Sequence, residues 1–411
     1  MRAGLLGRKL GHSFSPRIHS FFGDYSYDLF EVEPEALEAF IKSDRFDALN
    51  VTIPYKKAVI PYLSEISADA ASIGSVNTIV KRPDGSLFGD NTDAAGFRGM
   101  IHRLNIDPRG KKALVLGSGG ASVTCVHVLK TMGARDVRVI SRSGEDNYNN
   151  IEKHADAEIL VNATPVGMYP LNDANPLDIA RLPQLKAVLD LIYNPARTRL
   201  IQSALERAIP ALGGLYMLVE QARRASEIFT GASVPIEKTD EIHALLRRET
   251  ENIILIGMPG CGKSSIARML SEMTGREAID ADACIVKKIG CSIPEYFKTH
   301  SEAEFRAVET QVLREIGALS GKIIATGGGC VTIPENKCLL TQNGMVFYIR
   351  RDVNLLPTNG RPLSKAGSLN EMYKIRRPMY ESFADAQIDN AASIQEAAGR
   401  IMEVYHETAG H

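Results

Sequence analysis

Tryptophan is absent from the sequence, so an intrinsic-fluorescence signal of ligand binding rests on tyrosine. Cysteine is scarce: the six, at positions 125, 261, 284, 291, 330 and 338, form no CxxC pair and no Cys/His set at zinc spacing. The pattern excludes a zinc module and leads to the expectation of reduced thiols in a cytoplasm. Neither sign of charge predominates, with 48 Lys and Arg against 49 Asp and Glu and a net charge of -1. A global pull toward nucleic acid or an anionic membrane is thereby excluded, and any anion site has to be local. No apolar run reaches the ~20 residues that a membrane span needs. The longest nearly uncharged stretch, 113–129, is broken by Gly117-Ser118-Gly119-Gly120. The segment 1–16 lacks the apolar core of a signal peptide, so a cytoplasmic protein is expected, without nucleic acid or membrane among its partners. Repeats and low-complexity tracts are absent, and association into a homo-oligomer is left open.

What is present is an ordinary globular composition, 44% hydrophobic and 24% charged, over 411 residues. That length suggests two or three compact units. Short apolar runs at Ala113–Leu116, Val137–Ile140 and Ile159–Val161 alternate with longer amphipathic stretches, the pattern of βαβ units on a parallel sheet. A polar stretch, 233–252, then leads to a new apolar strand at Ile253–Ile256, and a domain boundary is expected near residue 248. Residues 237–248 within that stretch are compatible with a helix closing the first unit.

Directly after this strand, Gly257-Met258-Pro259-Gly260-Cys261-Gly262-Lys263-Ser264 matches GxxxxGK[ST] at every fixed position, and Ser265–Thr274 is compatible with a helix. Glycines let backbone N–H groups turn inward around phosphate oxygens, Lys263 reaches the β/γ-phosphates, and the Ser264 hydroxyl can ligate Mg²⁺. Further along lie Asp280-Ala281-Asp282, Phe305-Arg306 with Glu309, Gly327-Gly328-Gly329, Gly360-Arg361-Pro362-Leu363 and Arg376-Arg377-Pro378-Met379-Tyr380. In this order and spacing, residues 252–405 resemble shikimate kinase. The resemblance implies a three-layer α/β P-loop kinase fold of the nucleoside-monophosphate-kinase type, which transfers the γ-phosphate of ATP to the 3-hydroxyl of shikimate. It implies that Asp282 binds the substrate and accepts its proton, while Asp280 helps to hold Mg²⁺. It assigns the carboxylate to Arg306 and Arg376, orientation of Arg306 to Glu309, close substrate approach to Gly327, Gly328 and Gly329, and the transferring phosphoryl group to Arg361. Ser265 joins the phosphate loop. The family's adenine-contacting Arg-Thr pair is replaced here by Pro357-Thr358.

In the first half, Gly117-Ser118-Gly119-Gly120-Ala121-Ser122 follows a strand and precedes a helix-compatible run, as a dinucleotide-binding turn does. At the end of the next strand an NAD site would place an acidic residue, whereas this chain has Ser141-Arg142-Ser143, a cation flanked by hydroxyls suited to a 2′-phosphate. NADP(H) is therefore expected over NAD. Other motifs are His12-Ser13-Phe14-Ser15-Pro16, Asn50-Val51-Thr52 with Lys56, Val76-Asn77-Thr78, Asn91-Thr92-Asp93, Asn162-Ala163-Thr164 and Met217–Gln221. This ordered set, over residues 3–247, resembles shikimate dehydrogenase. The family fold is a two-lobed α/β enzyme, with a substrate lobe (1–92 and 214–247) and a Rossmann NADP lobe (93–213). By this resemblance Lys56 donates a proton to the ketone of 3-dehydroshikimate and Asp93 orients it. Ser13 and Ser15 bind the carboxylate, Thr52, Asn77 and Gln221 read ring hydroxyls, and Thr164 lines the cofactor. Ser15 favours shikimate over quinate, because relatives accepting quinate often carry Thr there.

The two resemblances, 1–247 and 248–411, share a metabolite: the product of the first is the substrate of the second. A bifunctional enzyme using NADP(H), ATP and Mg²⁺ is expected. Two rivals stand beside it: one active half with the other kept as a binding or regulatory module, and a quinate/shikimate dehydrogenase fused to a different small-molecule kinase.

Overall fold

Strands β1 (Arg2–Gly7), β2 (Ser26–Glu31), β3 (Ala48–Val51), β4 (Glu65–Ile66), β5 (Thr78–Lys81) and β6 (Leu87–Asp90) form one sheet in the order β2-β1-β3-β5-β6-β4. β1 pairs parallel with β2 and β3, whereas β3-β5 and β5-β6 are antiparallel. A second sheet, wholly parallel, holds β7 (Lys112–Leu116), β8 (Asp136–Ile140), β9 (Ile159–Asn162), β10 (Ala187–Asp190) and β11 (Ala211–Leu212) in the order β11-β10-β9-β7-β8. A third, also parallel, holds β12 (Asn252–Ile256), β13 (Ala278–Asp280), β14 (Ile323–Ala325), β15 (Gly344–Arg350) and β16 (Ala386–Asp389) in the order β13-β14-β12-β15-β16. The computed structural model describes residues 1–11, 13–356 and 369–408. It divides into two units, Met1–Tyr193 with Thr198–His243, and Asn194–Arg197 with Ala244–His411.

The continuous apolar runs of the sequence are the strands covered on both faces. In β7, Ala113 and Val115 pack into one cluster with Phe97, Val128 and Tyr216, while Leu114 and Leu116 pack into another with Ile151 and Leu200. The strands expected at 113–116, 137–140, 159–161 and 253–256 are present, each a residue longer. The helix expected from Ser265 begins two residues earlier, as Lys263–Thr274, because Gly262 adopts φ 105 and starts it. Residues 237–248 are helical within the longer Glu237–Thr250.

The substrate-side geometry depends on one close helix crossing. Helix Thr92–Arg103 approaches helix Leu215–Thr230 through Gly96 and Gly99: a Cβ at Gly96 would stand 2.7 Å from the Met217 carbonyl oxygen and 3.1 Å from Gln221 Cβ. A Gly96→Val chain would gain ~0.5 kcal/mol of helix propensity but lose more to this clash. The expected result is a net destabilisation of about 2 kcal/mol, read from thermal unfolding.

Candidate active sites

The first site is assembled where β3 ends, β5 begins and helix Thr92–Arg103 starts. Thr52 N–H donates to Leu6 O at 2.8 Å, tying the exit of β3 to β1, and the following turn buries Tyr55 in the core. That anchoring separates two adjacent lysines: Lys57 is exposed, whereas Lys56 is half-buried and donates through Nζ to Asp93 Oδ2 at 2.6 Å. Asp93 stands in the first turn of its helix, and Asn77 holds that turn. The Asn77 Oδ1 accepts from Thr92 N at 2.7 Å and from the Thr92 and Thr78 hydroxyls at 3.1 Å. The same Thr92 hydroxyl lies a longer 3.4 Å from Gln221 Oε1, and Gln221 Nε2 donates to Leu218 O at 2.9 Å. Lys56, Asp93, Asn77 and Gln221 are thus gathered around Thr92. Ser13 and Ser15 are joined to each other, Ser15 N donating to Ser13 Oγ at 3.2 Å. Between them, Phe14 meets the ring of Tyr193 edge-on at 6.1 Å between centroids. Sequence reasoning missed Tyr193, which no local pattern marks. His12 lies outside the described residues.

In the second sheet the strand order reverses at β7, whose neighbours β8 and β9 lead to opposite edges, so a crevice opens at the carboxyl ends of β7 and β9. Gly117 lies there with φ 98, and a Cβ on it would come within 2.9 Å of Thr164 Cγ2 and 3.2 Å of Ala163 O. Both conformation and contact require glycine. At Gly119 and Gly120 an added Cβ would meet nothing, and Ser118 to Ala121 are exposed, so the N-terminus of helix Gly120–Thr131 is open to a pyrophosphate. Ser122 is buried, filling the third fingerprint position from inside. After β8, Ser141 is half-buried while Arg142 and Ser143 are exposed, and Arg142 has no carboxylate partner among the described residues. An open N-terminus and an unpaired guanidinium fit NADP(H). The polar stretch 144–154 is a turn in which Asn147 and Asn150 side chains bond backbone, followed by the single 3-10 turn Ile151–His154.

The second unit places the phosphate loop at the carboxyl end of β12. Gly257, Gly260 and Gly262 have φ values of 145, 84 and 105. Lys263 is buried and donates to the Gly257 and Met258 carbonyls at 2.9 and 3.1 Å. Ser264 Oγ donates to Asp280 Oδ2 at 2.8 Å, while Asp280 Oδ1 caps the next helix by accepting from Asp282 N and Ala283 N. A hydroxyl beside a carboxylate fits Mg²⁺, a hard cation that takes one or two side chains and otherwise phosphate oxygens and water. Among the described residues no three His, Cys, Asp or Glu side chains converge on a metal position.

The loop opens on a cleft of about 690 Å³ lined also by Pro259, Ser265, Asp282, Glu309 and Arg376. Across it runs Gly327-Gly328-Gly329, each glycine giving way to a neighbour. A Cβ at Gly327 would stand 2.8 Å from both Asp282 Oδ1 and Glu309 Oε1, one at Gly328 would strike Pro259, and one at Gly329 would fall on the Arg306 guanidinium. Arg306 is buried and donates to Glu309 Oε2 at 2.7 Å and Glu302 Oε1 at 3.0 Å, leaving its Nε without a partner. Burial pushes the Glu309 carboxyl up from its ordinary value, against the pull of Arg306. Arg376 donates to Gly328 O at 3.3 Å, and the Tyr380 hydroxyl bonds the same carbonyl. Asn390, which sequence reasoning also missed, follows β16 and donates to Cys261 O at 2.7 Å, bracing the loop against Gly262. Arg361, Pro357 and Thr358 lie outside the described residues. None of the six cysteines is in a disulfide, and burial pushes the Cys330 thiol up to about 12, so it is no thiolate nucleophile.

A parallel-sheet crevice beside a lysine–carboxylate pair, and a phosphate loop facing carboxylates and guanidinium groups, define a nucleotide-dependent enzyme with one site in each unit. Comparison with known proteins names the families. The shikimate dehydrogenase substrate binding domain matches residues 5–79, and shikimate kinase matches residues 259–406. The shikimate dehydrogenase (NADP(+)) of Clostridium beijerinckii is 36% identical over 265 residues, covering 60% of this chain and 98% of that protein. A chorismate mutase/shikimate 5-dehydrogenase fusion protein from Clostridium acetobutylicum is similar in structure, with TM-score 0.56 and 36% identity over 60% of this chain and 96% of that one. Shikimate 5-dehydrogenase from Thermus thermophilus, solved with NADP(H) and shikimate, gives TM-score 0.54 and 33% identity over 59% of this chain and 97% of that one. The chain belongs to the shikimate dehydrogenase family through the 60% so covered and carries a shikimate kinase domain after it.

Proposed function

We propose that the protein catalyses two consecutive steps: reduction of 3-dehydroshikimate to shikimate with NADPH through residues 1–247, and phosphorylation of shikimate at its 3-hydroxyl with MgATP through residues 248–411. NADPH supplies the hydride in the first step. The chain supplies the proton: Lys56 Nζ donates to the ketone oxygen as it gains charge, and Asp93, 2.6 Å away, orients the amine and accepts from a substrate hydroxyl. Ser13 and Ser15 hold the carboxylate through their hydroxyls, and Thr52 offers a third hydroxyl to the ring. The amide oxygen of Asn77 is occupied by Thr92 and Thr78, so its Nδ2 end donates to the substrate. Gln221 spends one Nε2 hydrogen on Leu218 O and keeps the other for a ring hydroxyl. Gly117 to Ala121 and Thr164 hold the pyrophosphate side of the cofactor, and Ser141, Arg142 and Ser143 its 2′-phosphate.

ATP with Mg²⁺ supplies the phosphoryl group of the second step. Of the Lys263 ammonium's three N–H bonds, two are on loop carbonyls and the third meets only the Cys261 sulfur at 3.9 Å, a weak acceptor that a phosphate oxygen outcompetes. Ser264 and Asp280 hold the metal's water shell, and Asp282 accepts the proton of the attacking hydroxyl. Arg306, held by Glu309 and Glu302, and Arg376 clamp the substrate carboxylate, since phosphoryl transfer is mostly positioning and charge neutralisation. A cytoplasmic site of action accords with six cysteines outside any disulfide, and among the described residues no helix is long and apolar enough to cross a membrane.

The exposed, unpaired Arg142 makes a separate expectation. Arg142→Ala should raise KM for NADP⁺ about tenfold through the loss of a charge-assisted contact, and leave KM for NAD⁺ nearly unchanged. Equal effects on both cofactors would remove the 2′-phosphate assignment.

What carries the bifunctional reading is that each unit assembles its own polar site, the Lys56–Asp93 pair in one and the loop-to-arginine cleft in the other. The test is one incubation of the purified protein with 3-dehydroshikimate, NADPH, ATP and Mg²⁺, with products identified by mass spectrometry. Shikimate 3-phosphate supports both steps, shikimate alone leaves only the dehydrogenase, and unchanged substrate overturns the first assignment. Parallel assays with quinate and NAD⁺ distinguish the catabolic alternative.

A further inference from the structure

We propose that Asp190 is a positioning residue for NADP(H): it touches no substrate, but it fixes the crevice in which the dinucleotide is held. The proposal rests on the reading of Gly117 and Thr164 as cofactor-binding.

Asp190 ends β10 with 0% of its surface exposed, and its carboxylate joins three separate parts of the lobe. Oδ1 accepts from Asn162 Nδ2 at the end of β9 and from Ile192 N on the exit of β10, both at 3.0 Å. Oδ2 accepts from Thr198 Oγ1 at 2.6 Å, and Thr198 is the N-cap of helix Arg199–Glu206. A buried carboxylate is tolerated only when its lone pairs are filled, and donors from three elements fill these. Burial pushes its carboxyl up to about 6 against the pull of those donors, so above neutral pH the ionised, acceptor-only form is present.

That acceptor-only character is what reaches the crevice. Because the carboxylate cannot donate, Asn162 turns its NH₂ toward Asp190, where Val166 O also accepts from it at a longer 3.3 Å, and its Oδ1 the other way. The Oδ1 then accepts from Thr164 N at 3.1 Å and from Thr164 Oγ1 at 2.7 Å. Thr164, so fixed, is the side chain that packs against Gly117. On the other branch, the bond to Ile192 N shapes the strand exit leading to Tyr193, whose ring meets Phe14. Without the carboxylate the Asn162 NH₂ keeps only the Val166 carbonyl at 3.3 Å, so the amide is held less firmly and its Oδ1 is less well fixed under Thr164.

The experiment is steady-state kinetics and calorimetric NADP⁺ binding on the full chain, with kinase activity measured on the same samples. Asp190→Ala is expected to raise KM and Kd for NADP⁺ about tenfold, while KM for shikimate stays within about twofold and kinase activity is unchanged. Asp190→Asn keeps an oxygen for Asn162 and Ile192 and can donate to Thr198 Oγ1, so it should restore NADP⁺ binding to within about threefold. Should the alanine variant not fold, Thr198→Val removes a single donor and is expected to raise KM for NADP⁺ several-fold on its own. A fall in kcat with both KM values unchanged, or equal rises for NADP⁺ and shikimate, would overturn the proposal in favour of a purely structural carboxylate. Thr164→Val and Arg142→Ala are measured alongside. If they raise KM for NADP⁺ and Asp190→Ala does not, the Asp190 proposal alone fails; if they too leave it unchanged, the cofactor-site reading fails and the proposal with it.

Discussion

Lys56→Ala is expected to lower the dehydrogenase kcat about a thousandfold while KM for substrate changes little, because a positioned general acid contributes roughly 10²–10⁴-fold. The asymmetry follows from where the amine stands. Lys56 Nζ meets Asp93 at 2.6 Å, whereas the carboxylate is assigned to Ser13 and Ser15, so ground-state binding survives the loss of the amine. The variant also leaves the Asp93 carboxylate beside an oxygen that is gaining negative charge, and like charges at that range oppose each other. Instability does not explain such a loss: the pair is 31% and 21% exposed, and an ion pair so open to water contributes at most about 1 kcal/mol. Steady-state kinetics in the direction of shikimate oxidation checks the expectation, and unchanged KM values for NADP⁺ and shikimate in the same sample show that the dehydrogenase unit is folded. An unchanged kcat removes Lys56 as proton donor.

Asp282→Asn is the corresponding change in the kinase domain, with phosphoryl transfer falling about a thousandfold and reduction of 3-dehydroshikimate unaffected. Asp282 occupies the first turn of helix Ala281–Ile289, whose cap is Asp280, and a Cβ added to Gly327 would lie 2.8 Å from its Oδ1. The glycine run leaves just enough room for that carboxylate and Glu309 to face the cleft together. Asparagine keeps the shape and one acceptor oxygen but cannot take a proton from the attacking hydroxyl, so shikimate binding should persist while transfer stops. Retained kinase turnover would place the base elsewhere. The two substitutions together separate the activities, each falling in one unit alone.

The local motifs were legible in the sequence because their chemistry is carried by consecutive residues bounded by recognisable elements. Gly257 to Ser264 sits between an apolar strand and an amphipathic helix, and no distant contact is needed to predict that its backbone turns around an anion. The dinucleotide turn was legible for the same reason, and Arg142 because it follows the next strand at a fixed distance. The helix start at Lys263 was misjudged by two residues, since the left-handed Gly262 that opens it is a conformational choice rather than a pattern. Contacts between residues far apart in the chain were illegible. Asn390 bracing Gly262, Tyr193 against Phe14, and the Asp190 carboxylate beneath Thr164 have no periodicity and no spacing that announces them.

By itself, then, the sequence determined three strands of the second sheet and the first strand of the third, the phosphate loop, the glycine turn after β7 and the residue types available for proton and phosphoryl transfer, because hydrophobic period and glycine placement are local properties. Only the tertiary structure decided which of two adjacent lysines meets a carboxylate, which end of the Asn77 amide is left to bind, and why glycine stands at 96, 117 and 329. Those outcomes depend on where a partner hundreds of atoms away along the chain comes to rest. Packing settles that, through steric fit at the glycines and through the pairing of most buried polar groups.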